Sequence, residues 1–146
     1  MRKAARGIVI ESGKLLLMRR DKEGSQYFTL VGGKIDDNET AEQTLVREMR
    51  EETGMIVTKA RMVFIEQHPE PYNEQYIYLC EVAPHEAIGI QASSEEEILN
   101  RLGFNTHTPV WVDANVLARL PFLTPTLQAA MVKALKKGFP NEAAVI

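Results

Sequence analysis

Cysteine is almost missing from this 146-residue chain: Cys80 stands alone. A single thiol cannot form a disulfide within the chain, which excludes a disulfide-stapled secreted scaffold and points to a reducing cytoplasm. Cys80 lies in the alternating run YIYLCEV with no visible base partner, so it reads as a packed side chain rather than a nucleophile. Long apolar runs are also lacking. The opening MRKAARGIVI is apolar only through Ile10 before Glu11, Ser12, Gly13 and Lys14 interrupt it, which does not fit a secretory leader. No segment approaches the ~20 apolar residues that span a bilayer, so no membrane role is expected. Positive charge is not in excess: the net charge is -3 and the pI about 5.7. That leaves no basic face for duplex nucleic acid. His68, His85 and His107 lack a metal-ligand spacing such as H-x3-H and read as loop histidines.

What is present is an ordinary globular mixture, 45% apolar and 25% charged, in a length that suits one domain over 1–146. Residues 4–10 and 14–19 form two β-prone runs around Glu11–Gly13, which predicts a hairpin. A strand over 27–31 is expected to stop at Gly32–Gly33. The run 40–53 is rich in helix formers, Thr40 and Gln43 have capping-box spacing, and Gly54 is the expected stop. Strands over 56–65 and 75–82 flank the proline-rich turn HPEPYNE. A short strand at 109–112, a helical turn at 113–120 and a helix over 124–137, ended by Gly138, complete the pattern. The stretch 84–108 reads either as a loop or as a short helix started by Ser93 and Ser94. Strands on both sides of a helix predict an α+β fold, an α/β/α sandwich with a mixed β-sheet between helices.

The most telling feature is a cluster of acids. Glu48, Glu51 and Glu52 fall within an arc of roughly 100° on the 40–53 helix, close enough to repel one another. Ala41, Leu45, Val46 and Met49 form the adjoining apolar arc, which places the acids at the rim of the core. Oxygen ligands on one rigid element suit a hard divalent cation such as Mg²⁺, which binds through a few carboxylates, substrate phosphates and water. Such an ion neutralises phosphate charge and lowers the pKa of bound water, and a remaining carboxylate can orient or deprotonate that water. Arg47 can hold carboxylates through its planar fork, with Glu39 as a partner. The same REMREE run also reads as a solvated, salt-bridged helix face.

The full spacing favours the metal. The run from Gly33 to Met55 resembles the Nudix hydrolase signature, G-x5-E-x7-R-E-U-x-E-E-x-G-U with U aliphatic. Gly33, Glu39, Arg47, Glu48, Met49, Glu51, Glu52, Gly54 and Met55 fill every defined place. Asn38 stands where many members have glycine, and asparagine tolerates the left-handed region. The resemblance implies Mg²⁺-dependent (or Mn²⁺-dependent) hydrolysis of the pyrophosphate linkage in a nucleoside diphosphate joined to another moiety. It implies Glu48, Glu51, Glu52 and the Gly32 carbonyl as metal ligands, and Arg47 among the catalytic set as an organiser. Gly33, Glu39 and Gly54 would shape the structural frame. The general base would be a glutamate of this run or one of Glu95, Glu96 and Glu97. A homodimer is compatible with the resemblance, and a non-catalytic nucleotide sensor is the alternative function.

Substrate contacts are less sharply written. Arg19 and Arg20 point to opposite faces of one strand, so at most one faces the site, and Arg19, Tyr27 and Phe28 are candidates for phosphate contact or base stacking. Family hints at Pro71 and Tyr72 favour different substrates and cancel. Trp111 reads as a core or sheet residue.

Overall fold

The computed structural model describes residues 2–88 and 106–146. The expected first hairpin is present but short: β2 (Ile10–Glu11) turns through Ser12–Gly13 into β3 (Lys14–Lys22). The preceding β1 (Lys3–Ile8) does not follow β3. It enters a different sheet, antiparallel to β5 (Val31–Lys34) and parallel to β7 (Glu74–Val82). That sheet runs β5-β1-β7-β6-β9, with β6 at Val57–Gln67 and β9 at Ala144–Val145. The second sheet is built on β3. β2 and β4 (Ser25–Thr29) pair with its two ends, and β8 (Thr106–Asp113) runs antiparallel along Lys14–Asp21.

Strand alternation sorts the core into two clusters, one under each long helix. Ile8, Leu15, Leu17 and Ile77 pack toward α2 (Pro125–Lys137), where Leu127, Met131 and Ala134 are buried. Ala5, Val9, Leu16, Met18 and Tyr78 pack toward α1 (Ala41–Thr53), against Leu45 and Met49. The result is the expected α/β/α sandwich. Each fully buried Leu or Met contributes about 1.5–3 kcal/mol of transfer free energy. Cys80 belongs to the α1-side cluster, and burial pushes its thiol up to about 12, as befits a packed residue.

Helix α1 is framed as its sequence predicts. The Thr40 hydroxyl accepts from the Gln43 amide (3.1 Å), the Gln43 side chain accepts from the Thr40 amide (2.9 Å), and the Gly54 N–H closes on the Arg50 carbonyl (2.8 Å). Two expectations need correction. Val46 is 42% exposed, and the buried stripe instead combines Leu45 and Met49 with Thr44, Glu48, Glu52 and Thr53. The helix is therefore rotated so that two of its acids point inward. Also, the chain does not leave the sheet at Gly32–Gly33. Both glycines lie inside β5, opposite Arg6 and Ala5 of β1. The short strand foreseen at 109–112 is eight residues long because it pairs along nearly all of β3. Strand β9 had no sequence signal beyond two apolar residues, and its partner β6 is far away in the chain.

Candidate active site

Gly33 and Glu48 define the centre. A Cβ on Gly33 would sit 2.6 Å from Glu48 Oε1 and 2.8 Å from its Cδ, so the carboxylate lies where only glycine leaves room. At Gly32, φ is +149°, and an added Cβ would collide with the Ala5 carbonyl of the neighbouring strand. The Gly32 amide donates to Glu52 Oε2 at 3.2 Å. The glycine pair thus serves a close approach of strand backbone to two helix carboxylates. Glu48 and Glu52 are only 8% and 3% exposed. Two acids buried side by side are costly unless positive charge compensates them.

Part of that compensation comes from Arg47. Its Nε and Nη2 donate to the two oxygens of Glu39 at 2.7 and 2.9 Å, a forked pair. Its Nη1 reaches Glu48 Oε1 at 3.1 Å and Glu51 Oε2 at 3.3 Å, and Nη2 reaches Asp36 at 3.4 Å. One guanidinium on α1 therefore gathers four acids, Asp36 and Glu39 of the preceding loop and Glu48 and Glu51 of the helix. The Arg47 hydrogen bonds hold the Glu39 carboxyl down at about 2, from an ordinary 4.5, with help from the Thr44 hydroxyl at 2.9 Å. Arg47 in turn is held more firmly protonated, first by its bond to Glu39.

The donor set suits a hard divalent cation: carboxylate oxygens from Glu48 and Glu52, beside strand backbone that no side chain shields. Among the described residues no three acids, histidines or cysteines already form a closed cage. Glu51 shares the Arg47 Nη1 with Glu48. An ion held partly by substrate phosphates and water does not need a closed protein cage.

Glu48, Glu52, Gly32 and Gly33 open onto a cavity of about 480 Å³ whose wall also includes Arg2, Arg6, Arg20, Lys34, Tyr72 and His107. Acids and several cations thus line one cavity, an arrangement suited to a metal-bound polyanion. A larger hollow of about 940 Å³ follows the solvent side of α1, but neither Glu48 nor Glu52 lines it.

Alternation along β3 decides between the two arginines. Arg20 lines the cavity, whereas Arg19 lies outside that lining and pairs with Asp21 at 3.5 Å. Tyr27 lies under the Arg20 guanidinium, 5.6 Å from ring centre to Cζ, and Phe28 is packed in the α2-side core. Tyr72 reaches the cavity because the β6–β7 loop is tied to the start of β1: the Asn73 amide donates to the Arg2 carbonyl at 2.8 Å. Its ring lies 5.4 Å from Arg2 Cζ and 5.9 Å from Arg6 Cζ. His107, expected in a loop, sits buried on β8 opposite Arg20. Trp111 lies on the same strand and stacks on His85. Glu95, Glu96 and Glu97 fall outside the described residues.

Arg6 escaped the sequence reading. A charge in the interior of KAARGIVI, where only the leading Lys3 is also charged and the rest are small or apolar, was the available signal.

Three comparisons bear on this geometry. The NUDIX domain family matches residues 1–135. The 8-oxo-dGTP diphosphatase of Proteus vulgaris is 42% identical over 45 residues, 31% of this chain and 40% of that protein. The ADP-ribose pyrophosphatase of Methanocaldococcus jannaschii (strain ATCC 43067 / DSM 2661 / JAL-1 / JCM 10045 / NBRC 100440) is 34% identical over 68 residues, 46% of this chain and 40% of that protein. The matched stretch thus spans less than half the length of either relative. The solved structure of a NUDIX hydrolase from Nitrosomonas europaea superposes with a TM-score of 0.70 at 14% identity, covering 94% of this chain and 89% of the other. At that identity the likeness speaks for the fold alone.

Proposed function

The chain belongs to the NUDIX domain family, and on that premise we propose that it is a metal-dependent pyrophosphohydrolase acting on a nucleoside diphosphate linked to another moiety. The observation that carries this reading is the burial of Glu48 and Glu52 at the Gly32–Gly33 backbone, on a cavity that Arg2, Arg6, Arg20 and Lys34 also line. The relatives are named for 8-oxo-dGTP and for ADP-ribose, which share a nucleoside diphosphate and differ in what is attached to it.

Glu48 and Glu52, with Glu51 and the Gly32 carbonyl, are the groups to hold Mg²⁺ or Mn²⁺. When bound, the ion neutralises phosphate charge and makes hydroxide available from water near neutral pH. The protein's own work is largely positional. Arg47 keeps the loop and the acid-bearing helix in register, and Arg20 offers a forked guanidinium to phosphate oxygens. The glycine pair leaves room for the carboxylates to approach the strand. The proton from the attacking water passes to a carboxylate, either within the 48–52 cluster or at Glu95, Glu96 or Glu97. Cys80 has no part in this chemistry, and its free thiol suits a reducing cytoplasm.

The test is a hydrolysis panel with Mg²⁺ and with Mn²⁺, covering NTPs, oxidised dNTPs, ADP-ribose, sugar nucleotides, dinucleoside polyphosphates and NADH. Release of a nucleoside monophosphate, phosphate or pyrophosphate from one class, abolished in Glu52→Gln, supports the reading. Binding of a panel member with no turnover under either metal would establish a nucleotide sensor instead.

A further inference from the structure

A chain of buried polar side chains unrelated to the acidic helix ends on Arg6. Its Nε donates to Gln75 Oε1 at 2.6 Å, and its Nη1 donates to the Leu30 carbonyl at 3.1 Å. The Gln75 amide nitrogen donates to Glu66 Oε1 at 3.0 Å, and the other Glu66 oxygen accepts from the Thr124 hydroxyl at the start of α2 (2.5 Å). Glu66 and Gln75 are 4% and 5% exposed. Placing an acid this deep is costly, and a neutral side chain could satisfy Thr124 alone. What the acid adds is direction. The Glu66 carboxylate accepts on both oxygens and the Arg6 guanidinium only donates, so Gln75 between them has one workable orientation, with its NH₂ toward Glu66 and its oxygen toward Arg6.

We infer that Arg6 is a phosphate-contacting, specificity-determining residue of the cavity, and that Gln75 and Glu66 are positioning residues that aim it. This inference rests on the pyrophosphohydrolase reading for its substrate class. Arg6 pairs in register with Gly32, the residue whose amide holds Glu52, so its guanidinium emerges beside the carboxylate cradle. Two of its five N–H groups are committed to Gln75 and Leu30, and among the described residues the other three are left for a ligand. The Tyr72 ring beside it and the strand carbonyl below it restrict its swing. A charge held this way contacts the phosphate chain beside the acids and favours substrates that present oxyanions there.

The test uses imidodiphosphate, whose P–N–P bridge resists hydrolysis, titrated calorimetrically in the presence of Mg²⁺. Binding by the unaltered protein is expected to weaken roughly 10–100-fold in Arg6→Ala, the loss associated with a charge-assisted hydrogen bond. Arg6→Lys should recover only part of it, since an ammonium cannot reproduce the fork. Glu66→Gln, which lets the Gln75 amide reverse, should weaken binding several-fold. The double variant Arg6→Ala/Glu66→Gln should bind no more weakly than Arg6→Ala alone. A merely structural role for Glu66 predicts losses that multiply, and that result overturns the relay. Unchanged binding in Arg6→Ala, or no binding by the unaltered protein, overturns the assignment of Arg6. If Arg6-dependent binding is found but the hydrolysis panel shows no turnover, the enzyme reading fails while this inference stands. Turnover without Arg6-dependent binding gives the converse.

Discussion

Helices α1 and α2 are each 13 residues long, each opens on a threonine whose hydroxyl accepts from the third helical amide, and each closes on a glycine. Their local grammar is nearly the same, yet their buried faces differ. Helix α2 buries Leu127, Met131 and Ala134 and has Lys136 and Lys137 in its last turn, where they complement the helix dipole. Helix α1 buries Leu45 and Met49 but also Thr44, Glu48, Glu52 and Thr53. A helix that only had to hold the fold together would not bury two acids next to a strand. The contrast separates a helix that supplies stability from one that gives up part of its core face to build a site.

Substitutions on the two faces should therefore fail in different ways. Glu52→Gln should lower turnover by at least about 100-fold, as expected for loss of a metal or proton-transfer ligand, while the melting temperature holds or rises as like-charge repulsion is relieved. Leu127→Ala on α2 should do the reverse, costing about 2–5 kcal/mol in urea denaturation with kcat/KM unchanged in the folded fraction. If both variants lost turnover and stability together, the division of labour would be wrong. Gly33→Ala tests the strand side of the site: the new methyl displaces Glu48, and turnover should fall about 10–100-fold with stability changed far less.

The smallest effects belong to the frame of α1. The Glu39 carboxyl titrates near 2 in the fold against an ordinary 4.5, so its contribution is complete above about pH 4.5 and is lost as pH falls toward 2. Glu39→Gln should accordingly show a shallower loss of urea resistance than the unaltered protein between about pH 5 and about pH 3. Thr40→Ala removes the capping box and should cost about 1 kcal/mol in the same assay.

Local chemistry was legible in the sequence, and long-range placement was not. The caps of α1, the glycine that ends α2, the Arg47–Glu39 pairing and the closeness of the acids follow from offsets of a few residues, which helix geometry fixes. The direction in which α1 turns its faces depends on the sheet beneath it, so Val46 went outward and Glu48 and Glu52 inward. Gly32–Gly33 reads locally as a strand stop. Its inclusion in β5 depends on pairing with β1, where Gly32 lies opposite Arg6, about 26 residues earlier (32 − 6). Which of Arg19 and Arg20 faces the cavity is set by the register of β3 with β8, across about 90 residues of chain. The Arg6–Gln75–Glu66–Thr124 chain joins four separate elements, and no spacing rule could have assembled it.

Glu48 and Glu52, buried at the Gly32–Gly33 backbone, are the proposed holders of a divalent cation. Titrating Mn²⁺ into the protein and following the free ion by electron paramagnetic resonance tests this without relying on turnover. The account predicts saturable binding that weakens at least about tenfold in Glu48→Gln and in Glu52→Gln, with both variants folded. Equal Mn²⁺ affinity in the unaltered protein and the two variants would contradict it.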